Sequence, residues 1–247
     1  MGDRAADQRR RGEYAKSALT RQAILSAAFP IFGARGLDGA STREIAKAAG
    51  VNQPAINYHF GSKELLYRAC AELVVEGYRE QVGALRADAL RGLERRASPE
   101  EAADLLSALM DGLADLLISD PTARSWAGFV FREMSEQGEA ARFLHEHIWR
   151  PGTELVAQLI QVMWRCEPGS PSDEAQLEAL LLIADLVAFT NGRPVSMQIL
   201  GWDDIGPTEL AQIKQAMSRR VQDLAARCSD GGCPTASNRS PSRGDSR

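Results

Sequence analysis

Apolar residues recur along most of the chain at spacings of three and four, the period of an amphipathic helix, and no stretch alternates as a half-buried strand would. The first stripe, Leu19, Ala23, Ala27 and Ile31 with Ile24 and Ala28 beside it, predicts a helix over residues 17–34, closed by the run Gly33 to Gly36. Pro30 falls inside it and is expected to remove the backbone bond to Ser26 and kink the helix. Residues 41–60 predict two short helices joined by a tight turn. Ser41 followed by Glu44 reads as a capping box. Ile45 and Ala49 share one face, and Gly50 supplies the left-handed residue that ends the first helix. Val51 re-enters the core, and Pro54 suits the first turn of the second helix. Ile56 and Phe60 then point inward, leaving Asn52, Gln53, Asn57, Tyr58 and His59 outward.

The rest of the chain continues in the same period. Ser62, with Glu64 in the first turn, starts a long helix to about residue 86, carried by Leu65, Leu66, Leu73, Val74 and Val82. Residues 87–97 are charged and read equally as helix or linker. Ser98-Pro-Glu-Glu101 is a helix start, with a cap, a first-turn proline and acidic residues at the positive end of the helix dipole. Further helices are expected from Asp120-Pro121, over residues 139–150 up to a break at Pro151-Gly152, over 153–166, over 173–190, and from Pro207 to about Arg227. The stretch 192–206 is interrupted by Pro194 and Gly201. The fold class is therefore all-α: an N-terminal three-helix helix-turn-helix domain over 17–64 and a helical-bundle domain over 65–228. A flexible basic arm over 1–16 precedes them, and a Ser-, Gly-, Pro- and Arg-rich tail over 229–247, read as disordered, follows.

Charge sharpens this division. Residues 1–68 hold eleven Lys/Arg against six Asp/Glu, a net of +5, while the remainder holds 18 against 27, a net of −9. A basic head on an acidic body suits a protein that meets phosphates at one end only. No apolar run approaches the roughly 20 residues of a membrane span, and no apolar segment follows Arg9-Arg10-Arg11, so the reading is cytoplasmic, without a membrane partner. The four cysteines, Cys70, Cys166, Cys228 and Cys233, are accordingly expected as thiols. No phosphate-binding loop, dinucleotide fingerprint or nucleophile elbow is present, so no catalytic residue and no cofactor are assigned. His145-Glu-His147 is not read as a metal site, because helical residues two apart point to different sides.

A short helix with amides and an aromatic on its outer face suits the major groove of DNA, where Asn and Gln pair with adenine. Residues 41–60, with Tyr58-His59-Phe60 running into Gly61-Ser62-Lys63-Glu64-Leu65-Leu66, resemble the helix-turn-helix of TetR-family regulators: small Ala46, turn Gly50, apolar Val51 and Ile56. Phe131-Arg-Glu-Met-Ser135 and Arg193-Pro-Val-Ser-Met-Gln-Ile-Leu-Gly-Trp202 resemble the CecR-type branch, and with Gly12-Glu-Tyr-Ala-Lys16 the resemblance spans residues 12–226. Asn57 departs from the family, which often has Tyr there, as does Pro30, where a polar helix former is usual.

The resemblance implies a homodimer, joined through two late helices, that binds an operator in double-stranded DNA and a small-molecule effector in each body domain. The output is repression in most members. Thr42 and Arg43 would hold phosphates or a base, Gln53, Ala55, Asn57 and Tyr58 would face base edges with Asn52 beside them, and His59 and Lys63 would grip the backbone. Effector candidates are Trp126, Phe129, Arg132, Glu133, Met163, Trp164, Asn191 and Arg193. Independently, Leu180 to Phe189 is apolar nearly all round, interrupted only by Asp185, as expected of a helix buried on more than one side. The alternative is a constitutive DNA-binding protein without an effector.

Overall fold

A computed structural model describes residues 2–166 and 169–227, with side chains from Tyr14 onward. Eleven α-helices are present among these residues and no strand: α1 Gly2–Gly39, α2 Thr42–Ala48, α3 Gln53–Phe60, α4 Lys63–Glu94, α5 Pro99–Ala114, α6 Pro121–Glu136, α7 Ala141–Leu144, α8 Arg150–Met163, α9 Asp173–Val187, α10 Arg193–Leu200 and α11 Pro207–Ala226. Five-residue π turns, Asp115–Ser119 and His145–Trp149, follow α5 and α7.

The helices form two compact units. The first comprises the chain up to Gly77 together with Pro121–His147, and the second comprises Tyr78–Asp120 and the chain from Ile148. Residues 121–147 thus group with the helix-turn-helix segment.

Several helix starts follow local chemistry. Ser98 accepts from the Glu101 amide (3.2 Å) while Glu101 accepts from the Ser98 amide (3.0 Å), a complete capping box. Ser172 caps α9 through the Ala175 amide (3.2 Å). The stretch 87–97, open from sequence, is helical to Glu94. Pro151 does not break the chain: it stands in the first turn of α8, which continues directly from the π turn His145–Trp149. Pro194 likewise begins α10, which Gly201 closes with φ 68°.

α1 departs from expectation three times. It begins at Gly2, not near Ser17, so the segment read as a flexible arm is helical. Its Ala, Gln and Arg residues are strong helix formers that carry no apolar stripe, and periodicity reports packing, not helicity. The buried stripe is Ile24, Leu25, Ala28, Phe29 and Phe32, whereas Leu19 is 67% exposed, because the two phenylalanines bring far more apolar area than the alanines of the predicted stripe. The backbone break falls at Gly36 (φ 68°, ψ −175°) and not at Pro30. Pro30 and Ser26 are both exposed, so water can serve the carbonyl that Pro30 leaves open.

In the first unit α1 packs against α6. Phe29, Phe32, Tyr67, Trp126 and Phe129 form its aromatic centre, with ring centroids 4.7–6.0 Å apart. A Cβ at Gly33 would lie 2.9 Å from the Gly128 carbonyl carbon and the Phe129 nitrogen, so glycine is needed for this close backbone approach. In the second unit α5, α8, α9 and α11 pack around Leu106, Met110, Leu159, Ile160, Leu182 and Val221. Asp185 finds its partner on α11: Arg220 Nε lies 2.9 Å from Oδ2, and Nη1 donates to Oδ1 at 3.2 Å.

Two further findings concern groups considered in sequence. Cys70 is a buried free thiol, pushed up to about 12 by burial and hence unreactive, whereas Cys166 is disulfide-bonded, against the reading of all four cysteines as thiols. Cys228, Cys233 and the tail lie outside the described residues. Among the described residues, no helix is long and apolar enough to cross a membrane, and no cluster of His, Cys, Asp or Glu is arranged to hold a metal ion.

Candidate nucleic-acid interface

The helix-turn-helix is built by short-range chemistry. Ser41 caps α2 by accepting from the Arg43 amide (3.2 Å). Glu44 does not close the expected capping box; its carboxylate pairs with Arg35 at 2.8 Å, since a guanidinium is a stronger partner than a backbone amide. After α2, Gly50 adopts φ 67°, and the Val51 amide returns to the Ala46 carbonyl at 3.0 Å. Asn52 then caps α3 through the Ala55 amide (3.1 Å), with Pro54 in the first turn. Ile45, Ala46, Ile56 and Phe60 are buried, and Arg21 covers the Phe60 ring at 4.9 Å. A Cβ at Gly50 would meet nothing within 4 Å, so Gly50→Ala isolates the cost of the left-handed backbone. About 1–2 kcal/mol of stability should be lost in chemical denaturation.

This framework sets the outer face of α3. Gln53, Asn57 and Tyr58 are exposed, Tyr58 by 83%, and His59 is half-buried with its ring edge-on to Tyr58 at 5.1 Å. Gln53 Nε2 donates to Thr42 Oγ1 (3.1 Å), tying the start of α3 to the start of α2. Arg43 is exposed and Ala55 half-buried between the polar positions. Asn52 spends its carbonyl oxygen on the cap and keeps its NH₂ for another partner. Lys63 Nζ rests 3.3 Å from the Ala40 carbonyl, using one of its three donors. The sequence reading left out Arg35 and Arg21. Their roles depend on partners nine and 39 positions away, which only the packed helices bring within reach.

The eight effector candidates divide between the two units. In the first, Trp126 and Phe129 belong to the aromatic centre. Arg132 donates to the Ala34 carbonyl (3.2 Å) and pairs with Glu136 (2.7 Å). Glu133, 1% exposed, accepts from the Tyr67 hydroxyl. Burial first, and this bond second, push the Tyr67 hydroxyl well above its ordinary range, so it stays a donor.

In the second unit, Met163 and Trp164 are core residues, Trp164 Nε1 donating to the Leu224 carbonyl at 3.1 Å. Asn191 is exposed. Arg193 donates to the Ile118 carbonyl (3.3 Å) and pairs with Asp204. The first unit carries a cleft of about 270 Å³ beside Tyr67, Arg68, Arg142 and Phe143, and the second one of about 550 Å³ beside Leu93, Arg96, Gln158 and Arg165. None of the eight candidates lines either cleft. Large apolar residues at helical spacing serve a core as well as a pocket wall, and spacing alone does not separate the two uses.

An all-helical chain with an N-terminal helix-turn-helix, polar and exposed on its second helix, is a DNA-binding protein of the transcription-regulator class. Residues 24–70 match the model of bacterial regulatory proteins of the tetR family, and residues 102–226 match that of the C-terminal domain of the HTH-type transcriptional dual regulator CecR. The chain is 31% identical over 213 residues to the dual regulator CecR of Shigella flexneri, spanning 85% of this chain and 91% of that protein. It belongs to the TetR family, with a CecR-type C-terminal domain.

Among solved structures it shares the fold of a TetR-like transcriptional regulator from Rhodococcus sp. RHA1, with a TM-score of 0.56, 22% identity, and coverage of 86% of this chain and 96% of that one. It also shares the fold of AibR in complex with isovaleryl coenzyme A and operator DNA, with a TM-score of 0.52, 21% identity, and coverage of 81% and 97%.

Proposed function

We propose that this regulator acts as a homodimeric repressor that reads a palindromic operator and changes its DNA affinity when a small molecule binds the body. The observation that carries the dimer is on α9. Its inward face, Ala175, Ala179, Leu182 and Leu186, is buried in the second unit, while Leu177, Leu180 and Leu181 on the other side are 56%, 55% and 46% exposed. A leucine stripe of this kind on one helix is what a second copy would cover. Two copies would set their α3 helices about one DNA turn apart, roughly 34–36 Å. The effector reading draws on the TetR family and on AibR, whose crystal structure holds isovaleryl coenzyme A and operator DNA together. A ligand would act through its differing affinity for the two states of the dimer.

In this reading Gln53, Ala55, Asn57 and Tyr58 face base edges, with the Asn52 amide beside them. Thr42 and Arg43 hold phosphates or a base, and His59 and Lys63 contact phosphates. Replacing Asn57 with Ala should narrow the gap between operator and mismatched DNA by about 1–3 kcal/mol. Lys63→Ala should weaken all DNA alike and lower the salt slope by about one. Titrating both variants against operator and scrambled duplexes from low to high salt separates the two roles. An identical effect of both changes on every sequence would overturn this sorting of contacts.

A further inference from the structure

Adjacent residues of α6 hold the two ends of the helix-turn-helix segment. Upstream, α1 breaks at Gly36 before the chain turns into α2. Carbonyls next to a helix end need donors, and a cation there is favoured by the helix dipole. Arg132 Nη1 supplies one to Ala34 (3.2 Å), and Glu136 steadies the guanidinium from the other side (2.7 Å). The fit at the break is close: a Cβ on Gly36 would lie 2.9 Å from Arg132 Nε, and φ +68° already disfavours any side chain there. Downstream, Tyr67 stands in the first turns of α4, just after α3, and its hydroxyl donates to Glu133 Oε1. Glu133 is 1% exposed, and its second oxygen has no hydrogen-bond partner. Stability alone does not favour such a buried acid, because an unfilled carboxylate oxygen is costly. All of these contacts lie within the first compact unit.

We infer that Arg132 and Glu133 are positioning residues for DNA binding: from α6, outside the segment that reads DNA, they fix how α2 and α3 are hung between the end of α1 and the start of α4. This assigns both residues a task other than effector contact. The DNA-binding part of this inference rests on the regulator reading above.

The test uses the full chain with Arg132→Gln, Arg132→Lys and Tyr67→Phe, read in two ways. Hydrogen exchange without DNA reports directly how firmly the segment is held. Amides of residues 37–41 in Arg132→Gln, and of residues 61–67 in Tyr67→Phe, should exchange at least about tenfold faster, with α8 and α11 unchanged. The second readout is binding to a duplex enriched by the wild-type protein from a random pool, against scrambled duplex. Arg132→Gln should lose about tenfold on the enriched duplex and less than about twofold on the scrambled one. Its salt slope should not change, because no phosphate contact is removed, and Arg132→Lys should recover part of both effects. Wild-type exchange at 37–41 and 61–67 in the variants overturns the inference. So does an equal fractional loss on both duplexes, which is the mark of a smaller folded fraction. If the wild-type protein enriches no duplex, the regulator reading fails, and the exchange arm still decides whether the two residues hold the segment.

Discussion

Leu180→Glu combined with Leu181→Glu is expected to convert the proposed dimer into monomers and to weaken operator binding by about 10²–10⁴-fold. Both side chains project from the exposed face of α9, opposite the face that packs in the second unit, so the change removes nothing from that unit's core. The fold should be nearly unaffected, within about 0.5 kcal/mol, as for other surface substitutions. Two glutamates brought against their symmetry mates would instead bury like charges, which association cannot tolerate without partners. A monomer still carries one α3 and still binds a half-site. It loses the advantage of two linked contacts, which accounts for the large factor. Sedimentation equilibrium reads the mass, and titration of the operator reads the affinity. A double variant that stays dimeric with unchanged operator affinity would remove α9 from the interface.

Phe129→Ala should cost the first unit about 3–5 kcal/mol, the usual price of deleting a fully buried aromatic. Its ring is edge-on to Phe29 at 5.7 Å and to Tyr67 at 5.0 Å, and its backbone nitrogen lies in the close approach at Gly33. The neighbours are fixed by that backbone contact and can close the cavity only in part. Such a loss is a large fraction of the roughly 5–15 kcal/mol that holds a typical domain. The variant should therefore unfold at clearly lower urea and lose DNA binding in parallel, since α1 packs on both α2 and α6. Far-ultraviolet circular dichroism against urea measures it. A loss below about 1 kcal/mol would mean that the aromatic centre collapses freely around the gap, contrary to the packing described.

These two sites differ in how far the sequence announced them. The excess of leucine on α9 was plain in the run Leu180 to Phe189, because a helix apolar on more than one side has more surface to bury than one neighbour can take. The helix-turn-helix was equally plain. Ser41, Gly50 and Pro54 act within a few residues of themselves, so their spacing carries the geometry; Asn52, read only as facing outward, also caps α3.

What lay beyond reach was anything set by tertiary contact. The choice between two stripes on α1 was decided by Phe29 and Phe32 meeting α6. The end of the first helical run at Gly36 was legible, but its neighbour Arg132 was not, and the partner of Asp185 is Arg220, on another helix. The surroundings of the effector candidates are set by tertiary contact in the same way. Trp164 and Met163 look like pocket walls in a string of letters, and Leu224 makes Trp164 a core residue. Glu44 shows the same limit at short range: a capping-box pattern was present, but Arg35 captured the carboxylate.

The central claim is that the exposed face of α3 reads DNA sequence as part of a dimer. The most direct measurement is to select duplexes from a random pool with the purified full chain at about 0.15 M salt, and then to titrate the selected duplex against scrambled competitor while weighing the complex. The account predicts enrichment of an inverted repeat, two chains per duplex, and a Kd near or below 10⁻⁸ M, several powers of ten tighter than on scrambled DNA. A pool that stays random, or binding that scrambled competitor abolishes equally, would contradict it.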